Sequence, residues 1–215
     1  MSFKIALIIR QLRLGGAEKQ LVQLATELPR WNYHPCVIAL SGGEWEKDLR
    51  ARNVETFVLS PNGSHSVRKL LQIVKILRSF KPEIVYGFDY SGSIYGRLAG
   101  AIVGIPILIG GVQSELMPQS WVIYADRALR WKTDAIISNS FAGKRTWTEL
   151  LGYPPEKVAV VLNGFNFEEM RQFPKGQKQY PSFSGLSELY FNSHSLSCSH
   201  RYTKDRLRGH SSFLL

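Results

Sequence analysis

Apolar residues follow two patterns that take turns along this chain. Short apolar runs, beginning with the one that opens at Phe3, have the length and isoleucine content of buried strands. Between them, apolar residues recur every three or four positions, as at Leu21, Leu24 and Leu28, which is typical of a helix with one buried face. The strand runs are continuous rather than alternating, so both faces of each strand are predicted to be buried.

These patterns predict strands and helices that follow one another in turn. After the opening strand, further strands are predicted at residues 35–40, 54–59, 84–87, 105–109, 135–138 and 158–162. A first helix is predicted to begin at residue 17. Further helices are predicted over 44–52, 67–80, 90–103, 119–131 and 141–151. The predicted fold class is therefore α/β, a doubly wound parallel sheet forming a single Rossmann-like domain. In that class, ligands bind at the carboxyl ends of the strands.

The alternation stops near residue 172. The remaining residues are rich in serine and show no sustained period. They also carry an excess of basic side chains. We therefore predict a Rossmann-like domain over residues 1–170 and an irregular, disordered, basic tail over 171–215.

The loop between the first strand and the first helix contains the pair Gly15-Gly16. In a strand-loop-helix unit, unpaired backbone N–H groups and the helix dipole attract phosphate to this point. Glycines leave the backbone open to an anion, because they carry no side chain. The spacing is not that of the dinucleotide fingerprint, so a tight turn without a ligand is the alternative interpretation.

The formal net charge of +10 points to an anionic partner. The basic residues form no stripe interleaved with aromatic residues, which argues against nucleic acid. The anionic partner is then either a membrane surface or a phosphorylated substrate. The two cysteines, Cys36 and Cys198, have no metal-ligand spacing and indicate no disulfide framework, so a reducing cytoplasm is expected. No signal peptide or membrane-spanning stretch is visible, and no metal or cofactor is expected.

The helix predicted over residues 67–80 has two distinct faces. Its apolar stripe consists of Leu70, Leu71, Ile73, Val74 and Leu77. Its basic face consists of Arg68, Lys69, Lys75, Arg78 and Lys81. A basic face of this kind is either simply solvated or a peripheral contact with a membrane surface, and the second interpretation suits an acceptor carried on a lipid.

Several segments, taken in order, resemble one family of enzymes. They are Leu14–Gln20, Lys81–Val85, Gly96–Ala99, Asp134–Ser140 and Lys157–Phe165. Together they resemble the amino-terminal domain of the family 4 retaining glycosyltransferases, which have the GT-B fold. The resemblance covers residues 3 to about 170.

This resemblance implies two Rossmann-like domains with the active site in the cleft between them. The first domain supplies most of the acceptor pocket, and the second binds the nucleotide-sugar through an Arg-Lys pair and two glutamates eight positions apart. No two glutamates in this chain have that spacing, and no alternation follows Asn163. The tail residues Arg201 and Lys204 lack the preceding apolar strand, so we do not assign them the diphosphate role.

The chain thus resembles the acceptor-side half of such an enzyme, truncated before the domain that binds the sugar donor. The implied reaction moves a sugar from a nucleoside-diphosphate sugar to a glycan or lipid-linked acceptor, and the chain alone is expected to be inactive and to bind the nucleotide-sugar weakly. A non-catalytic α/β module that binds a sugar or phosphate is the alternative. A sugar-nucleotide epimerase of related fold would also need the second domain. The expected location is cytoplasmic, with peripheral membrane contact through the basic face 68–81.

The resemblance places Gly15 and Gly16 near the sugar donor. Asp89 follows the strand 84–87 and faces the same crevice. Its carboxylate either bonds an acceptor hydroxyl or acts as a base, or it caps the helix that starts at Tyr90. The two interpretations of Asp89 are equally open.

Two further pairs are candidates at the same edge. Gln113 and Glu115 lie in the long loop after the fifth strand, where the family often has a polar group for the acceptor or for catalysis, frequently His or Arg. This chain has neither His nor Arg there. Asn163 and Gly164 either touch a ligand across the cleft or simply form a turn.

Overall fold

The structure, a computed structural model, describes residues 2–59, 67–112 and 120–164. The strands are β1 (Phe3–Ile9), β2 (Tyr33–Ala39), β3 (Glu55–Val58), β4 (Ile84–Gly87), β5 (Ile107–Val112), β6 (Ala135–Ser138) and β7 (Val158–Val160). The α-helices are α1 (Gly16–Glu27), α2 (Trp45–Ala51), α3 (Val67–Phe80), α4 (Tyr90–Val103), α5 (Ser120–Leu129) and α6 (Phe141–Arg145). Short 3-10 turns cover Leu28–Trp31, Arg130–Lys132 and Pro155–Lys157.

The seven strands form one parallel sheet in the order β3-β2-β1-β4-β5-β6-β7. Ile8 of β1 lies between Ile38 of β2 and Gly87 of β4. The chain winds outward from β1 in one direction and from β4 in the other. The topological switch point, where such folds bind ligands, is therefore the gap between the carboxyl ends of β1 and β4. The predicted fold class is confirmed.

Two apolar layers cover the sheet, one on each face. Leu7 and Ile9 pack on the layer that includes Leu21 of α1 and Leu49 of α2. Ala6 and Ile8 pack on the opposite layer, which contains α3 and α4. The side chains of residues 5–9 are buried on both faces, which explains the continuous apolar run in β1. Full burial of a Leu or Ile side chain contributes about 1.5–3 kcal/mol.

Helix α4 lies unusually close to the sheet along a stripe of three glycines. A Cβ atom on Gly92 would overlap the carbonyl group of Ile8, and one on Gly100 would overlap the Leu108 side chain. The third member, Gly96, faces the side chain of Ile8. The helix ends at Gly104, whose φ of 82° is readily adopted only by glycine. The glycines of α4 thus allow the helix to pack closely on the sheet.

Helix α3 has the predicted bounds but not the predicted faces. Leu71, assigned to the apolar stripe, is 60% exposed, whereas Lys69, assigned to the basic face, is 5% exposed. The reason is the helical angle. Leu71 stands one turn after Val67 on the solvent side, while Lys69 shares the inner side with Ile73 and Phe80.

A fully buried arginine ties the second half of the domain together. Arg97 of α4 forms an ion pair with Asp126 of α5. The guanidinium also donates to Tyr153 Oη at 2.7 Å, Thr133 Oγ1 at 3.1 Å and the carbonyl of Ser93 at 3.0 Å. One side chain thus connects two helices and two loops.

Two of the other boundary differences have local causes. The long last helix, predicted over residues 141–151, is an α-helix only to Arg145 and continues as a π-helical turn over Thr146–Leu150. Strand β5 begins two residues later than predicted, because the N–H of Ile105 still bonds the carbonyl of Gly100 at the end of α4. The predicted tail over 171–215 lies outside the described residues and stays a prediction.

Candidate functional site

The Gly15-Gly16 loop lies at the switch point, directly after the carboxyl end of β1. Gly15 is the N-cap residue of α1, and its carbonyl accepts a hydrogen bond from the N–H of Lys19 at 3.0 Å. Its φ of −167° is extended backbone that any residue adopts. The need for glycine at position 15 must therefore come from the space around it.

The carboxylate of Glu18 fills that space. Glu18 is only 9% exposed and folds back from the first turn of α1. A Cβ atom on Gly15 would overlap Glu18 Oε2 and would lie 3.0 Å from Glu18 Cδ. Gln11, at the start of the loop, donates from Nε2 to Glu18 Oε1 at 3.2 Å. Glu18 is not among the residues predicted for the site, although its position three residues after the N-cap is where capping-box glutamates stand.

Asp89 connects the two strands that flank the switch point. Its Oδ1 accepts from the N–H of Gly92 at 2.7 Å, and its Oδ2 accepts from the N–H of Arg10 at 2.9 Å. Burial raises the pKa of the Asp89 carboxyl, the two backbone hydrogen bonds and the Arg10 charge oppose the shift, and the nearby Glu18 carboxylate adds to it. The capping role of Asp89 is therefore confirmed. A role towards an acceptor stays a prediction.

The loop after β2 supports the glycine loop from the side. The N–H of Trp45 donates to the carbonyl of Leu12 at 3.0 Å, and Ser41 Oγ donates to the carbonyl of Arg10 at 3.2 Å. A Cβ atom on Gly43 would overlap the backbone of Leu12 and Arg13. Gly43 thus permits the close contact of the two loops. In the sequence, the pair Gly42-Gly43 directly after β2 is the feature that could have indicated this loop contact.

The other predicted pairs are less informative. Gln113 and Glu115 lie outside the described residues. Asn163 and Gly164 are exposed and belong to no helix or strand, and their role towards a ligand stays a prediction. The Gly164 carbonyl accepts from Gln20 Nε2 at 2.8 Å, so the structure brings this segment beside α1.

Other residues in the family-like segments have structural roles. Asp134 Oδ2 accepts from the N–H of Leu108 at 2.7 Å and joins the starts of β5 and β6. Ser140 caps α6 through a bond from the Gly143 N–H to its Oγ at 3.0 Å. These residues explain part of the resemblance by folding alone.

The Gly15-Gly16 loop has positive charges on its exposed side and negative charges behind it, so only the exposed side suits an anion. Arg10 and Arg13 are exposed cations of the loop, while Glu18 and Asp89 are carboxylates close behind it. The arrangement offers cationic side chains and unpaired helix N–H groups for phosphate oxygens, and carboxylates for hydroxyl groups. In the described parts of the chain, no three His, Cys, Asp or Glu side chains are placed to hold a metal ion.

A separate groove of about 580 Å³ lies away from this crevice, between α3 and the β2–β3 edge of the sheet. Its lining includes Lys4, His34, Glu55, Lys75 and Phe80. Lys4 and His34 stand near the amino ends of their strands, at the opposite edge from the glycine loop.

The fold defines a Rossmann-like α/β domain with the Gly15-Gly16 loop at the switch point, and sequence comparison assigns the chain to a family. Residues 14–169 match the family described as Glycosyltransferase Family 4. The chain belongs to that family. No curated protein sequence gives a significant match.

Solved structures share the fold. Anabaena Alr3699/HepE, crystallised with UDP and glucose, is 19% identical, with a TM-score of 0.65 over 77% of this chain and 46% of its own. A glycosyltransferase from Rickettsia africae is 14% identical, with a TM-score of 0.64 over 94% and 50%. The lipopolysaccharide outer core galactosyltransferase WaaB is 15% identical, with a TM-score of 0.59 over 76% and 46%. The present chain thus spans about half the length of the solved structures it matches. No helix in the described parts is long and apolar enough to cross a bilayer.

Proposed function

We propose that this chain is the acceptor-side half of a glycosyltransferase that moves a sugar from a nucleoside-diphosphate sugar to a glycan or a lipid-linked acceptor. The observation that carries the proposal is the position of the Gly15-Gly16 loop at the switch point, with Arg10 and Arg13 exposed beside it. Membership of the glycosyltransferase family supports the proposal. The HepE structure, which has a similar fold, contains UDP and glucose.

Sugar transfer needs two things from the protein, and the described residues supply part of each. The sugar donor must be positioned, and the negative charge that develops on the departing diphosphate must be stabilised. The amino terminus of α1 offers backbone N–H groups, and the loop offers two guanidinium groups. These groups form one wall of a cleft. We therefore infer weak binding of nucleotide-sugars and no turnover by these 215 residues alone.

A transfer assay with a radiolabelled nucleotide-sugar tests this proposal. The chain alone should give no product, whereas a fusion that adds the second domain of a related enzyme after Gly164 should transfer sugar. In the fusion, Gly16→Leu should abolish transfer by blocking the approach to the loop. Gly42→Ala is a control in a neighbouring loop, because the atom nearest to a Cβ there, Glu46 Oε2 at 3.3 Å, is the end of a flexible side chain that can move aside.

Two results of that assay would contradict the proposal. Robust turnover by the unfused chain would show that it is not half an enzyme. A folded fusion that binds the nucleotide-sugar but transfers nothing would favour the alternative, a non-catalytic binding module.

We further propose that α3 holds the protein at the cytoplasmic face of a membrane, where a lipid-linked acceptor would lie. The helix contains no acidic residue, and Lys75 and Arg78 are exposed on its solvent side. The apolar side chains of Val67 and Leu71, 72% and 60% exposed, stand on the same side. Exposed apolar side chains among cations are typical of a surface that inserts between anionic lipids.

Sedimentation with lipid vesicles tests the membrane contact. Binding to vesicles with anionic lipid should exceed binding to neutral vesicles, and Lys75→Glu with Arg78→Glu should weaken it by more than about tenfold. The matched control, Lys47→Glu with Arg52→Glu, makes the same charge change in α2 and directly after its end, on the other face of the sheet. Equal loss in both variants would indicate net charge rather than an α3 surface.

A further inference from the structure

The proposed anion site contains its own carboxylate. Glu18 carries a negative charge in the first turn of α1, where the helix dipole favours anions. Its Oε2 occupies the position of a side chain on Gly15, so it lies against the backbone that a phosphate must approach. With 9% of its surface exposed, this carboxylate is held in place rather than free in solvent.

Gln11 holds the carboxylate there. Its side-chain amide reaches from the start of the loop to Glu18 Oε1 at 3.2 Å. The same amide is the kind of neutral hydrogen-bond donor that a phosphate oxygen uses. If Glu18 turned outward, the loop would lose a negative charge and regain the Gln11 N–H group for a ligand.

We propose that Glu18 is a specificity-determining residue that competes with the phosphate groups of the ligand for the Gly15-Gly16 loop. This inference rests on the proposed function, because it concerns the same loop and the same class of ligand. The carboxylate opposes each phosphate that approaches, and it leaves the uncharged part of the ligand unaffected. Glu18 therefore sets how steeply affinity depends on the number of phosphates.

Nucleotide titrations of the whole chain test the competition. Uridine, UMP and UDP should be compared on the wild type and on Glu18→Gln, which keeps an oxygen for Gln11 but removes the charge. The variant should bind UDP about two- to fivefold more tightly, with a smaller gain for UMP and none for uridine. Glu27→Gln, an exposed carboxylate at the other end of α1, should change nothing.

The outcomes separate this inference from the proposed function. Wild-type binding of UDP with no gain, or a loss, in Glu18→Gln would overturn the competition and leave the proposed site intact. No binding by either protein would contradict both.

A stability measurement tests the placement of the carboxylate without any ligand. Gly15→Ala should lower the urea midpoint of the wild type, because the new methyl group displaces Glu18 from Gln11. In a Glu18→Ala background, the same substitution should be neutral or raise the midpoint, since the extended φ of residue 15 suits alanine. An equal shift in both backgrounds would show that Glu18 does not occupy this space and would overturn the inference.

Discussion

Replacing Arg97 with methionine should destabilise the domain far more than removal of any exposed charge. Arg97 is fully buried and pairs with Asp126, which is 1% exposed. Methionine fills much of the same volume but leaves the Asp126 carboxylate without a counter-ion. Breaking a buried ion pair in this way costs about 3–5 kcal/mol. For a protein of this size, that corresponds to a fall in Tm of roughly 6–20 °C.

The loss should depend on pH in a defined direction. Burial raises the pKa of the Asp126 carboxyl, and the Arg97 charge opposes that shift. Without Arg97, the folded-state pKa rises further above the unfolded value, so the folded variant holds its proton more tightly than the unfolded chain. The deficit relative to wild type should therefore be small below the ordinary carboxyl pKa. It should grow as the pH rises through the folded-state pKa.

Urea denaturation from pH 4 to pH 8 measures this prediction. Two control variants accompany Arg97→Met. The pair Arg97→Met with Asp126→Leu should recover part of the loss, because Thr133 Oγ1 still bonds the carbonyl of Leu129 at 2.9 Å. Arg50→Met, which removes an exposed ion pair with Glu46, should cost less than about 1 kcal/mol. A loss below 1 kcal/mol for Arg97→Met, or a loss that does not change with pH, would refute the reasoning.

Two further substitutions test the support of the crevice. Asp89→Ala should lower the free energy of unfolding by about 1–2 kcal/mol, since the N–H groups of Gly92 and Arg10 lose their acceptor; an unchanged urea midpoint would contradict the capping role. Gly43→Ala should cost about 1–3 kcal/mol, because its methyl group would overlap backbone rather than a movable side chain, whereas Gly164→Ala, with open space around it, should be neutral.

The sequence predicts the fold well because its strands are buried on both faces. Strands β4 and β6 are short, largely apolar runs, β4 begins just after the stop signal Pro82, and α4 ends at Gly104, so the bounds of all three are predicted correctly. The faces of α3 are harder to assign. A lysine can extend its chain past apolar neighbours, and a leucine can remain exposed, so composition alone does not fix which side is inner.

The candidate site is predicted less completely. The sequence indicates the glycine loop and Asp89, because both follow strands that end at the same edge. It does not indicate the contacts that determine their shape. The overlap of Glu18 with Gly15, and that of Gly43 with Leu12, depend on how side chains and loops fold back in space. The Arg97 network has the same origin, since three of its partners, Asp126, Thr133 and Tyr153, lie 29 to 56 positions away in the chain.

The position of the nucleotide-sugar on the domain is the central claim, and amide NMR tests it most directly. UDP-glucose titrated into the ¹⁵N-labelled chain at millimolar concentration should shift the backbone signals of residues 11–19 and 89–93, around the crevice between β1 and β4. Gly16→Leu should remove those shifts. The claim would be contradicted by shifts confined to the groove lined by His34, Glu55 and Lys75, or by no shift at all.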